Sequence, residues 1–93
     1  MKEVNNTRKM EALKDKDVKA KVRAYVLDAT YGEKDKIKDS SLIFREGFFD
    51  SMGFVSLLGF IEETFEVKTS DADLVEENFE SIDAITNFVL NKN

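Results

Sequence analysis

Apolar residues recur at Val18, Val22, Tyr25, Val26 and Ala29 within DKDVKAKVRAYVLDAT, residues 15–30. That i, i+4, i+7, i+8, i+11 spacing is one stripe of an amphipathic helix, predicted to end before Gly32. A second stripe lies in SMGFVSLLGFIEETFE, residues 51–66, where Phe54, Leu58, Ile61 and Phe65 share a narrow arc with Val55 and Leu57 on its flanks. Ser51 opens this helix, which should form the centre of the core. Gly53 and Gly59 each cost it about 1 kcal/mol relative to Ala, so packing rather than propensity must hold it. Phe60 falls off the buried arc, among Gly53, Ser56 and Glu63, where one exposed Phe is unremarkable.

Residues 32–50 join the two helices through a polar segment with scattered anchors at Ile37, Leu42, Ile43, Phe44, Phe48 and Phe49. A connection this long is unusual in a compact domain and tends to be functional. Leu42, Ile43 and one of the two Phe residues are expected to pin it. Beyond Val67, Ser70 can cap a short helical turn through Asp71, Asp73 and Leu74, with the acids suited to the positive end of its dipole. A last helix begins near Glu80 or Ser81 and turns Ile82, Ile85 and Val89 inward. There is no sustained period-two alternation and no internal repeat. The pattern predicts an all-α fold, a small antiparallel four-helix bundle of three main helices and one short one, with a long loop between helices 1 and 2.

Composition narrows the chemistry. At 93 residues and 42% hydrophobic content the chain suffices for one small core. We divide it into an N-terminal extension, residues 1–14, flexible or helical, and a domain over residues 15–93. It contains no Cys and no His, which removes disulfides, thiolate zinc sites, cysteine nucleophiles and the usual neutral-pH general base. We therefore expect no enzyme and no metal site. The apolar clusters are far shorter than the roughly 20 residues needed to span a membrane, and the N-terminus lacks the apolar centre of a secretory signal. A cytoplasmic protein without membrane insertion is expected. Residues 1–23 hold eight basic and four acidic side chains, whereas residues 24–93 hold six and fifteen. The acidic larger part disfavours nucleic acid and favours basic protein partners.

Against this inert background stands GFFDSMGF, residues 47–54. Ser51 can cap the second helix. The same helix end, with free N–H donors and partial positive charge, would also suit a phosphate esterified to that serine. Asp50 is an alternative cap.

Residues 40–90 resemble the acyl carrier protein family. The family's mark, Asp-Ser-Leu at the start of the second helix, stands here as Asp50-Ser51-Met52, preceded by Ser41-Leu42 and Gly47-Phe48-Phe49. It is followed by LLGFIEETFEV and ENFESIDAITNFV, and the likeness extends over residues 15–92. The resemblance implies that Ser51 is the attachment point for 4'-phosphopantetheine, transferred from coenzyme A by a separate phosphopantetheinyl transferase, the holo synthase. The arm's thiol would carry an acyl or aminoacyl group, and the cofactor would bring the chemistry the chain lacks. It further implies that Asp50 contacts the synthase. Glu62, Glu63, Glu66, Asp71 and Asp73, with Glu76 and Glu77, then resemble an acidic face read by basic patches on loading and transfer enzymes, with Phe60 as an apolar anchor inside that rim. A freestanding monomeric carrier in fatty acid, lipid or polyketide biosynthesis is the implied role; an unmodified four-helix module that docks basic partners is the alternative. Three departures matter. Met52 replaces Leu at similar volume, Gly53 and Ser56 stand where many carriers have acids, and Phe54 is expected to narrow any cavity for a long acyl chain.

Overall fold

Val18, Val22 and Val26 are buried to 0% exposure along one side of the first helix, α1 (Asp15–Ala29), with Tyr25 half-buried and Ala29 exposed beside them. A computed structural model describes residues 15–30 and 33–92. The N-terminal extension lies outside the described residues, and α1 ends at Ala29, before Gly32 as expected. The remaining helices are α2 (Ser51–Phe65), α3 (Glu76–Phe79) and α4 (Ile82–Lys92), with single 3₁₀ turns at Lys34–Lys36 and Asp71–Asp73. No strand occurs among the described residues, and the molecule is the expected small all-helical bundle. α4 packs along α1 and also against the one-turn helix α3.

The buried face of α2 differs from the expected arc. Leu57, Ile61 and Phe65 are buried, Phe54 and Leu58 are half-buried, and Val55 is 64% exposed. Leu57 rather than Val55 faces the core, and the Phe54 ring reaches Phe79 of α3 at 5.5 Å. Phe60 also departs from expectation: it is half-buried, its ring stacked on Tyr25 of α1 at 4.3 Å and edge-on to Phe65 at 5.8 Å. Tyr25 supplies the apolar cover that helical spacing within α2 alone does not reveal.

The long connection is tied at several points. Arg23 donates to both carboxylate oxygens of Asp39, from Nε at 2.9 Å and Nη2 at 2.7 Å. The Asp39 carbonyl accepts from the Asp83 N–H at the start of α4, and Lys19 pairs with the Asp83 carboxylate at 2.9 Å. The guanidinium holds the Asp39 carboxyl below the usual carboxylate range, and the carboxylate raises Arg23 in turn. Further along, the Ile43 N–H donates to the Glu80 carbonyl, while Thr30 at the end of α1 donates its hydroxyl to the Phe48 carbonyl. Ile43 and Phe49 are the buried pins of this segment, and Leu42 is only half-buried.

Candidate functional site: the serine at the start of α2

The residues before Ser51 form one helical turn that stops abruptly. Phe48 N–H donates to the Ile43 carbonyl and Gly47 N–H to the Phe44 carbonyl. This is the paired bonding of a helix end closed by a left-handed residue, and Gly47 supplies the required φ of +85°. The Ile43 carbonyl also accepts from Phe49 N–H at 3.0 Å. Phe49 thus drops into the core directly after the turn, and the chain emerges at Asp50 in extended conformation.

Asp50, not Ser51, caps α2. Its Oδ1 accepts from Gly53 N–H at 3.0 Å, and its carbonyl accepts from Phe54 N–H at the same distance. Ser51 is therefore the first residue inside the helix. It is exposed, and its hydroxyl makes no hydrogen bond among the described residues. A nearby N-cap leaves the hydroxyl available, and the helix terminus still offers partial positive charge beside it.

Gly53 has a local reason to be glycine. A Cβ there would stand 2.7 Å from Cδ2 of the buried Phe49 ring and 3.4 Å from its Cβ. The ring that anchors the serine's loop lies against the first turn of α2, and only a glycine lets it approach that closely.

Ser51 and Asp50 form the rim of a groove of about 450 Å³, lined mainly by Phe44, Phe49 and Phe54 on one side and by Leu74, Val75 and Glu76 on the other. Behind it the rings are continuous: Phe49 to Phe44 at 5.9 Å, Phe44 to Phe54 at 5.8 Å, Phe54 to Phe79 at 5.5 Å, and Phe79 to Phe88 at 4.9 Å. Arg45 and Glu76 join the two walls, with Nε to Oε2 at 2.7 Å. The guanidinium holds the Glu76 carboxyl below its ordinary value.

The acids expected to form a recognition face are distributed differently from one another. Glu62 accepts from the Thr69 hydroxyl at 2.6 Å and from Thr69 N–H at 3.1 Å, and these bonds lower its carboxyl. Asp73 is paired with Lys92 at 2.9 Å and accepts from Ser70, Lys92 being the larger cause of its lowered carboxyl. Glu63 and Asp71 are exposed. Glu66, also exposed, closes α2 in the left-handed region at φ 57°. Phe60 stands on the far side of α2 from the groove, against α1. Sequence reasoning did not foresee Phe44, Leu74 and Val75 as neighbours of the serine; the adjacent apolar pair inside an acidic segment was the available signal.

Among the described residues there is no cluster of acids able to hold a metal ion. The site combines an exposed serine hydroxyl, a helix terminus and a neighbouring apolar groove on a small helical bundle. The family model described as a phosphopantetheine attachment site matches residues 20–89, and the chain belongs to that family. Its members carry 4'-phosphopantetheine covalently. A comparison with curated individual proteins found no match.

Proposed function

We propose that Ser51 carries 4'-phosphopantetheine and that the chain holds acyl or aminoacyl groups for partner enzymes. The observation behind this reading is the division of labour at the start of α2: Asp50 takes the cap and leaves the Ser51 hydroxyl exposed and unbonded. The fit is chemical as well as spatial. A phosphodiester on Oγ would lie at the positive end of α2, and the groove beside it is mainly apolar. When bound, the group supplies a terminal thiol that holds cargo as a thioester. The chain's own residues fix the serine through the Gly47 turn, cap the helix through Asp50 and offer the Phe44, Phe49 and Phe54 surface.

The finer reading is a monomeric cytoplasmic carrier of fatty acid, lipid or polyketide biosynthesis, itself not a catalyst. It would serve a phosphopantetheinyl transferase, with Asp50 contacting that enzyme, and loading and transfer enzymes with basic patches facing Glu62, Glu63, Glu66, Asp71 and Asp73. Phe60 would add an apolar contact through the edge that Tyr25 leaves uncovered. Phe54, wedged between Phe44 and Phe79, would limit how deeply a long acyl chain enters from the groove.

Incubation with coenzyme A and a phosphopantetheinyl transferase, followed by intact-mass measurement, tests the proposal. The expected result is a gain of one phosphopantetheine, lost in Ser51→Ala. No gain with several broad-range transferases would leave an unmodified docking module as the better reading.

A further inference from the structure

The groove beside Ser51 leaves apolar surface uncovered on its far wall, where Leu74 is 42% exposed and Val75 45%. Its charged members, Asp50 and Glu76, are themselves exposed, and Glu76 is paired with Arg45. A concave site that is apolar inside and polar only at its edge suits an uncharged, apolar occupant. If Ser51 carries the arm, the chain brings such an occupant with it. A flexible tether holds its end at high effective concentration over the surface around its root.

The floor of the groove decides how much can enter. Phe54 follows Ser51 by three residues on α2 and so shares its face, one turn on from the point of attachment. Its ring is edge-on to Phe44 at 5.8 Å and to Phe79 at 5.5 Å. Phe79 is 1% exposed and is braced in turn by Phe88 at 4.9 Å. Such separations are those of rings in direct contact. Leu57, Ile61, Phe79 and Ile85, the fully buried side chains behind this layer, take no part in lining the groove. The space therefore ends on the rings instead of continuing between the helices. Phe54 cannot swing aside without giving up both of its ring contacts, and an interior packed to this density does not take in extra methylenes without displacing side chains.

We propose that the groove holds the acyl part of the chain's own cargo, and that Phe54, braced by Phe44 and Phe79, restricts that cargo to compact acyl groups. This rests on the carrier reading and adds the class of cargo to it. A compact group can lie against Phe44, Phe54, Leu74 and Val75 and cover surface that is otherwise wet. A long alkyl chain finds no space beyond the rings, so its outer methylenes stay in water and forgo the burial that a deep cavity would supply.

The test loads the full chain with hexanoyl- or dodecanoyl-pantetheine, using the acyl coenzyme A and a broad-range phosphopantetheinyl transferase, and times cleavage of each thioester by hydroxylamine through intact mass. On wild type the hexanoyl thioester should be cleaved about fivefold more slowly than hexanoyl coenzyme A, the shielding of a group covered for about four-fifths of the time. Its loading should also move the methyl resonances of Leu74 and Val75. The dodecanoyl thioester should gain no further shielding on wild type, and about fivefold more in Phe54→Ala. Phe54→Leu is the second variant, in case the larger truncation does not fold, and the comparison of the two lengths on wild type needs neither. Stronger shielding of dodecanoyl than of hexanoyl on wild type would overturn the proposal, as would a hexanoyl thioester cleaved as fast as its coenzyme A form. So would folded Phe54 variants that leave the dodecanoyl thioester no better shielded than wild type does. Failure of wild type to accept an arm from any transferase would overturn the carrier reading instead, a result distinct from these.

Discussion

Two glycines on one helix should respond oppositely to the same substitution. Gly53 and Gly59 are both inside α2, so replacing either with Ala removes backbone freedom from the unfolded chain and is worth about 1 kcal/mol of helix stability. At Gly59 that is the whole effect, because the added methyl meets no heavy atom within 4 Å. At Gly53 the methyl meets the Phe49 ring at 2.7 Å, and that ring is 5% exposed, packed edge-on to Phe44 and joined to a backbone held by Ile43. A buried ring with neighbours on its other side cannot swing aside freely, and overpacking of this kind costs about 1–3 kcal/mol.

Taking about 2 kcal/mol for the clash, Gly53→Ala should be net destabilised by about 1 kcal/mol and Gly59→Ala stabilised by about the same. The gap of about 2 kcal/mol corresponds to about 8 °C or more in melting temperature for a domain of this size. Thermal melts and urea titrations of the two variants beside wild type measure it. A double-mutant cycle with Phe49→Leu identifies the cause, since the cost at position 53 should largely vanish once the ring is gone. If Gly53→Ala proves as stable as Gly59→Ala, the ring does not lie on the helix as described, and the account of how Ser51 is positioned falls with it.

Other consequences can be checked in parallel. Gly47→Ala places a side chain at φ +85° and should lower stability by about 1 kcal/mol in urea titration. Conversely, Glu66→Gly relieves a left-handed residue at φ 57° and should raise the urea midpoint by a similar amount. Asp50→Ala should cost about 1 kcal/mol through loss of the cap, whereas Asp50→Asn should retain most of it. The pairing of Arg23 depresses the Asp39 carboxyl, so its stabilising contribution is present above the ordinary carboxylate pKa and is lost as the pH falls through the depressed folded-state value. Stability followed by urea midpoint as the pH is lowered below about 4 should fall less steeply in Asp39→Asn than in wild type.

What the chain discloses in advance follows the reach of each physical signal. The α1 stripe was legible because Val18, Val22 and Val26 face a core that runs the length of the helix. The last helix was legible for a similar reason: Ser81 is its cap, its Oγ accepting from Ala84 N–H at 3.0 Å, and Ile82, Ile85 and Val89 are buried. Helical periodicity gives relative angles within an element but not the identity of what lies opposite. Phe60 therefore looked exposed until Tyr25 was placed against it, and Val55 looked like a core flank although no neighbouring element covers it and it is 64% exposed. The one-turn helix α3 is too short to carry a period of its own, so the Glu76–Phe79 turn was not separable from its surroundings.

The serine raises a related point about local and tertiary cause. Asp-Ser at a helix start admits either residue as the cap, and spacing alone cannot choose between them. The choice is made by the turn before it. Gly47 reverses the chain, Phe49 is committed to the core and Gly53 admits its ring, which leaves Asp50 extended with Oδ1 at 3.0 Å from the Gly53 N–H. Gly53 thus serves two purposes at once: its missing Cβ accommodates Phe49, and its N–H donates to Asp50 Oδ1. The substitution that looks most conservative in this segment, one methyl at position 53, should accordingly perturb Ser51 more than the loss of an exposed acid further along α2. Comparing arm transfer to Gly53→Ala and to Glu63→Gln with a common transferase decides the matter: equal rates would mean that the serine is positioned without help from the ring beneath it.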